Sequence, residues 1–171
     1  YSPTFGYDIC ARRVSSQTNV AERFDLSRWR LAGNGADMIR PDVMQNFVDR
    51  FAAAGFKASA FLPSYGLAES TLAVTLMPPG DGIRVGLVEE ERLSGCPRDL
   101  SRPARYRAIV NCGKPVLGME VEIRGETGDA VPDHHIGKVW CRGSSLMHSY
   151  YRDPEATAEC LVDGWLDTGD M

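Results

Sequence analysis

The chain has 171 residues, 43% hydrophobic and 25% charged, enough for one folded domain with its own core. Its net charge of −4 gives no reason to expect nucleic acid or an anionic membrane as a partner. No apolar run approaches the ~20 residues of a membrane-spanning helix, and no signal-peptide pattern opens the chain.

In chain order, residues 5–14 read as weakly helical. Leu26 to Ala32 reads as a strand entry that ends at Gly33-Asn34-Gly35. Pro41 stands at a first helical position, and Val43, Met44, Phe47, Val48 and Phe51 recur with helical spacing before Gly55. Ser59 to Leu62 is a short buried-strand candidate. Residues 28–62 thus predict a β-α-β unit, which makes the two strands parallel. Both following loops, Gly33 to Asp37 and Ser64-Tyr65-Gly66, then leave the sheet at one carboxyl edge, where ligands bind in open α/β sheets. Glu69 to Thr75 reads as a helix whose N-terminus can face an anion.

Past Pro78-Pro79-Gly80-Asp81-Gly82 the texture turns to strands. Arg84 to Val88, Ala108 to Asn111 and Gly137 to Arg142 are candidates. Met119, Val121 and Ile123 alternate with charged neighbours in a half-buried strand. Asp153-Pro154 is a helix start, an N-cap followed by the first helical position. Asp163-Gly164 is a hairpin turn. The expected fold class is α/β: a parallel β-α-β portion of a layered sheet followed by a small distorted β-barrel-like subdomain. The boundary falls at residues 1–80 and 81–171. The five cysteines, Cys10, Cys96, Cys112, Cys141 and Cys160, form no C-x-x-C pair. They read as reduced thiols of a cytoplasmic protein.

Tyr65-Gly66-Leu67-Ala68-Glu69 carries the most chemistry. An aromatic can stack on a base, a glycine lets backbone approach, and an acid can hold a divalent metal beside phosphates. A core tyrosine and a dipole-favoured glutamate explain the pentapeptide alone equally well. The Gly33 to Asp37 loop on the same edge shifts the balance toward a nucleotide. Asp167 and Asp170 flank Thr168-Gly169. A carboxylate there suits a ribose diol, although spacing alone favours an acidic surface turn. Met38 stands where a dinucleotide fingerprint needs its third glycine, and Pro115 spoils Gly113-Lys114 as a phosphate loop. His134-His135 lacks a third ligand at metal spacing. Arg98, Arg102, Arg105 and Arg107 read as a solvated basic loop, with a partner-docking surface as the alternative, and no covalent nucleophile can be placed.

These residues resemble the adenylate-forming enzymes. Tyr65 to Thr71 is similar to that superfamily's adenine and magnesium motif. Gly137 to Met147, with Tyr150-Tyr151-Arg152-Asp153-Pro154-Glu155-Ala156-Thr157, is similar to a second motif. Gly164 to Asp170 is similar to the ribose-binding motif, and Asn34-Gly35-Ala36-Asp37 to the loop that lines adenine. Within the superfamily the chain looks most like the fatty-acyl-AMP ligases. Ala68 stands where many acyl-CoA synthetases carry Thr. Tyr1 to Arg12 resembles the border of an acyl tunnel, with Phe5 and Tyr7 in place. The long stretch from Glu69 to Gly113 accommodates a family insertion near residues 84–111. Asp37-Met38-Ile39, Asn111 and His148-Ser149 depart from the usual pattern, and none removes a charge expected to touch ATP.

The resemblance implies an ATP- and Mg²⁺-dependent ligase that converts a fatty acid to an acyl-adenylate. The acceptor it implies is an acyl carrier protein or a polyketide synthase carrier domain. An AMP-forming acyl-CoA synthetase and a non-catalytic module of the same fold are the alternatives. Tyr65 would stack on adenine and Asn34, Gly35, Ala36 and Asp37 would line it. Ser64, Gly66, Leu67 and Ala68 would border base and phosphates. Glu69 would be the catalytic metal ligand, and Asp170 would bind ribose. The chain opens on Tyr1 and stops after an acidic turn, so an excised piece of a larger protein is expected. The superfamily's phosphate loop would precede Tyr1, and the hinge and catalytic lysine would follow Met171. A fragment holding half a site is expected to be inactive alone.

Overall fold

The computed structural model describes residues 1–171 apart from 15–18, 91–100, 102 and 134. Cys96, Arg98, Arg102 and His134 therefore lie outside the described residues. The chain begins with helix α1, Thr4–Arg13, and a single turn, α2, Val20–Arg23. Strand β1, Ala32–Asn34, leads to helix α3, Pro41–Phe51, which starts on the expected proline. Val43, Met44, Phe47 and Phe51 of α3 are buried, a single apolar face as their spacing requires. A 3₁₀ turn, Ala52–Ala54, ends the helix before Gly55. Strand β2, Phe61–Tyr65, then pairs parallel to β1, with Ala32 opposite Phe61 and Asn34 opposite Pro63.

Strands β3, Thr75–Leu76, and β6, Lys114–Pro115, add antiparallel to give a four-stranded sheet in the order β1-β2-β3-β6. Between them, β4, Val85–Glu89, and β5, Tyr106–Val110, pair as a separate two-stranded ribbon. Beyond β6, strands β7, Met119–Arg124, and β8, Lys138–Gly143, precede helix α4, Pro154–Cys160. Strands β9, Leu161–Val162, and β10, Trp165–Asp167, complete an antiparallel sheet ordered β7-β8-β10-β9. That sheet is open, and no barrel closes among the described residues.

Two expected elements change. The strand expected over Leu26 to Ala32 starts only at Ala32. Asp25 Oδ1 accepts both the backbone N–H and the hydroxyl of Ser27, and these local bonds replace a ladder. Trp29 stays partly exposed and meets Phe56 edge-on at 5.4 Å. The helix expected from Glu69 to Thr75 is one 3₁₀ turn, Ala68–Ser70. Ser70 Oγ donates back to Leu67 O at 3.0 Å, Thr71 has φ +69°, and Val74 N–H returns to Tyr65 O at 2.9 Å. The chain therefore reverses into β3, and this segment supplies no α-helix N-terminus.

Tyr7, Phe47, Phe51, Phe56 and Phe61 fill the core under the first sheet. Their rings meet mostly edge to face; Tyr7 and Phe47 are 5.2 Å apart and Phe47 and Phe56 5.0 Å. A smaller core of Val74, Met119, Cys141 and Leu166 joins the first sheet's far side to the second. Cys10, Cys112, Cys141 and Cys160 are free thiols. No helix among the described residues is long and apolar enough to cross a membrane.

Candidate active site

Parallel pairing of β1 and β2 brings the two loops to one edge. Ser64 Oγ donates to Asn34 O at 3.2 Å, so the corners touch directly. Asn34 is fully buried; its Nδ2 donates to Ser2 O at 3.0 Å, while its Oδ1 has no partner. A buried unpaired acceptor is unusual in a folded chain. Gly35 is buried against Tyr1 and Ser64, whereas Ala36 is exposed with φ +63°. Asp37 is exposed and its Oδ1 accepts the Met38 N–H at 2.7 Å, closing the turn on itself.

Tyr65 ends β2 half-buried and donates from its hydroxyl to Asp170 Oδ2 at 2.7 Å. Burial pushes its phenol well up, and Asp170 adds to the rise. The tyrosine is thus neutral at ordinary pH, with its tip fixed on the acid expected at ribose. Gly66 has no room for a side chain, because a Cβ would overlap the Leu72 carbonyl where the loop doubles back. Leu67 packs on the smaller core and Ala68 is exposed.

Glu69 sits on that returning loop and is held at two points. Its carbonyl accepts the Met147 N–H at 2.7 Å, and its Oε1 accepts the Tyr150 hydroxyl at 2.6 Å. Thr71 Oγ1 adds a bond to Ser145 O at 3.0 Å. The hydrogen bond to Glu69 is the main reason the Tyr150 phenol is pushed up to about 12, with burial second. The β10 end is pinned to β8. Val139 N–H donates to Asp170 O at 2.8 Å, and Thr168 Oγ1 donates to Val139 O at 2.8 Å. Asp167 is committed to Lys138 at 2.9 Å. Burial pulls its carboxyl upward, but the Lys138 bond and the Gly169 N–H outweigh that and hold it below the usual range.

The arrangement can hold a purine beside the corners, a ribose at Asp170 and a hydrated divalent cation at Glu69. No cluster of three metal-ligating side chains exists among the described residues. Mg²⁺ is commonly held by one or two carboxylates with phosphates and water, so a lone Glu69 fits that use. Phe5 and Tyr7 do not share a wall. They stand two residues apart on α1, Phe5 60% exposed and Tyr7 4% exposed, with the Tyr7 hydroxyl donating to Gly33 O at 2.8 Å. Tyr7 is therefore a core residue behind the Asn34 corner. Sequence reasoning gave no role to Tyr150, Lys138 or Thr168. Tyr150 stood in a quoted motif, but its partner lies far along the chain and no local pattern points to it. His135 forms a local turn through the Pro132 and Asp133 carbonyls, and Arg105 pairs with Glu90 at 3.5 Å.

Residues 1–151 match the AMP-binding enzyme family. The chain belongs to that family. It is 44% identical over its whole length to a Caulobacter vibrioides protein provisionally described as an acyl-CoA synthetase, covering 30% of that protein. It is 32% identical to the medium-chain fatty acid–acyl-carrier-protein ligase JamA of Moorena producens, over 98% of this chain and 29% of JamA. Among solved structures, a fatty acid AMP ligase from Legionella pneumophila superposes with a TM-score of 0.85 at 31% identity, over 98% of this chain and 30% of that one. The chain thus spans about 30% of the length of the relatives it matches.

Proposed function

We propose that this chain is part of a ligase that activates a fatty acid with ATP and Mg²⁺ and passes it to an acyl carrier protein. A carboxylate oxygen of the fatty acid attacks the α-phosphorus, and pyrophosphate leaves with the bonding electron pair. The residues here bind and orient the nucleotide; a Mg²⁺ held by Glu69 would supply charge stabilisation to the phosphates. Tyr65 stacks on adenine, with Asn34, Gly35, Ala36 and Asp37 around the base. Ser64, Gly66, Leu67 and Ala68 shape the turn, Asp170 takes the ribose diol and Glu69 takes Mg²⁺. Phe5 borders the acyl tunnel, and Tyr7 backs it from the core. Residues 1–80 are the α/β part of the AMP-binding N-terminal domain, and residues 81–171 form a β-rich subdomain with a family-specific insertion near 84–111. The free thiols suit a cytoplasmic setting.

The observation that carries this reading is the meeting of the Asn34 and Tyr65 corners at one edge, with Tyr65 bonded to Asp170. JamA, a carrier-protein ligase, and the Legionella AMP ligase favour the acceptor named. The test supplies the full-length enzyme with fatty acid and Mg-ATP, then with carrier protein or coenzyme A. Acyl transfer to carrier protein is expected. Robust acyl-CoA formation makes it an acyl-CoA synthetase, the description attached to the Caulobacter relative. No pyrophosphate release with any acid leaves a non-catalytic module. Residues 1–171 alone are expected to trap no hydroxamate from fatty acid, ATP and hydroxylamine.

A further inference from the structure

We infer that Tyr150 is a positioning residue for the metal-binding carboxylate, held by the turn that opens α4; this rests on the Mg²⁺ role proposed for Glu69. The Tyr150 hydroxyl donates to Glu69 Oε1 at 2.6 Å across 81 residues of sequence. A carboxylate on a returning loop has two torsions before its planar head, and one strong bond to one oxygen fixes that head's rotation. The other oxygen is then presented in a single direction. Partners of this kind tune metal sites, and removing them typically costs 10–100-fold in metal affinity.

Tyr150 is itself fixed. Its backbone N–H donates to Thr157 Oγ1 at 2.9 Å, and Thr157 Oγ1 donates in turn to Asp153 O at 2.7 Å. Asp153 caps α4 by accepting the Ala156 N–H at 2.9 Å. The bond network therefore runs from the start of α4 through Thr157 to Tyr150 and then to Glu69. Nearby, Met147 N–H and Ser145 O hold the Glu69 loop through backbone groups that no side-chain change at Tyr150 removes. The loop thus keeps its place without the tyrosine, and only the carboxylate head is released.

The experiment uses the full-length enzyme and its Tyr150→Phe, Thr157→Val and Glu69→Gln variants. Mn²⁺ binding is read by electron paramagnetic resonance with a non-hydrolysable ATP analogue present. The Mg²⁺ concentration for half-maximal pyrophosphate release is read in parallel. Tyr150→Phe is expected to weaken Mn²⁺ binding about 10-fold or more and to raise the Mg²⁺ requirement, with metal-free binding of the analogue unchanged. Thr157→Val should move the same readouts in the same direction and by less. Unchanged or tighter Mn²⁺ binding in a folded Tyr150→Phe protein, while Glu69→Gln loses the metal, overturns the inference and leaves the Mg²⁺ role standing. Unchanged Mn²⁺ binding in Glu69→Gln overturns the Mg²⁺ role itself, and the inference with it. Should Tyr150→Phe not fold, Thr157→Val decides by the same criteria.

Discussion

The corner formed by β1 and β2 and the clamp that faces it are held by different forces. Behind the Asn34 and Tyr65 corner lies a cluster of aromatic rings with Phe47 2% and Phe61 1% exposed. Its shape comes from apolar burial and close packing, which are non-directional and shared among many contacts. The facing side has a core of four buried residues, Val74, Met119, Cys141 and Leu166, and is joined to the Glu69 loop and to Tyr65 by discrete hydrogen bonds. Such bonds are directional and each involves few atoms, so losing one moves a functional group with little change in fold. The Asn34 and Tyr65 corner is the rigid reference, and the Glu69 and Asp170 carboxylates are set against it.

Substitutions should therefore separate stability from function. Phe47→Ala empties the centre of the aromatic cluster and is expected to cost about 3–5 kcal/mol in urea unfolding. A loss below about 1 kcal/mol would erase the distinction drawn between the halves. Gly66→Ala is next. Its methyl group would overlap the Leu72 carbonyl and push the returning loop away. A misplacement on the ångström scale lowers kcat/KM about 100-fold, with a smaller effect on the urea midpoint, in the full-length enzyme. Tyr65→Phe keeps the ring and removes the bond to Asp170. Its expected cost is about 1 kcal/mol of stability, with weaker nucleotide binding measured by calorimetry.

The smallest effect is a pH effect. Tyr150 has its folded value raised to about 12 from 10.0, mainly through the bond to Glu69. The neutral phenol is the form the fold favours. Its contribution is complete below the unfolded value and is lost as pH rises through about 12. In Glu69→Ala the tyrosinate absorbance of Tyr150, identified by difference from Tyr150→Phe, should titrate closer to the ordinary value. An unmoved midpoint would mean that the clamp does not exist in solution.

Much of the base corner was legible because its causes are local. Pro41 and the apolar spacing of Val43 to Phe51 set α3, and α3 between two short apolar runs makes the strands parallel. The Asp163-Gly164 turn was equally readable: both residues take positive φ, +51° and +78°, as a tight hairpin requires. Asp153 caps α4 as its type and the following proline predict. The Glu69 segment was misjudged because helix-forming residues such as Ala68 and Glu69 were outweighed by the β3 pairing and the Gly66 close approach. The strand expected at Leu26 to Ala32 was lost to the Asp25–Ser27 turn, and Trp29 meets Phe47 and Phe56, partners that no local pattern announces.

The sequence alone determined the start of α3 and of α4, the Asp163-Gly164 turn and which face of α3 is buried, since these rest on residue type and spacing. Only the tertiary structure decided that Tyr65 is tied to Asp170 and Glu69 to Tyr150. Those partners are 105 and 81 residues apart. A side-chain hydrogen bond forms only within about 3 Å, and no periodicity along the chain encodes a separation that two packed sheets create.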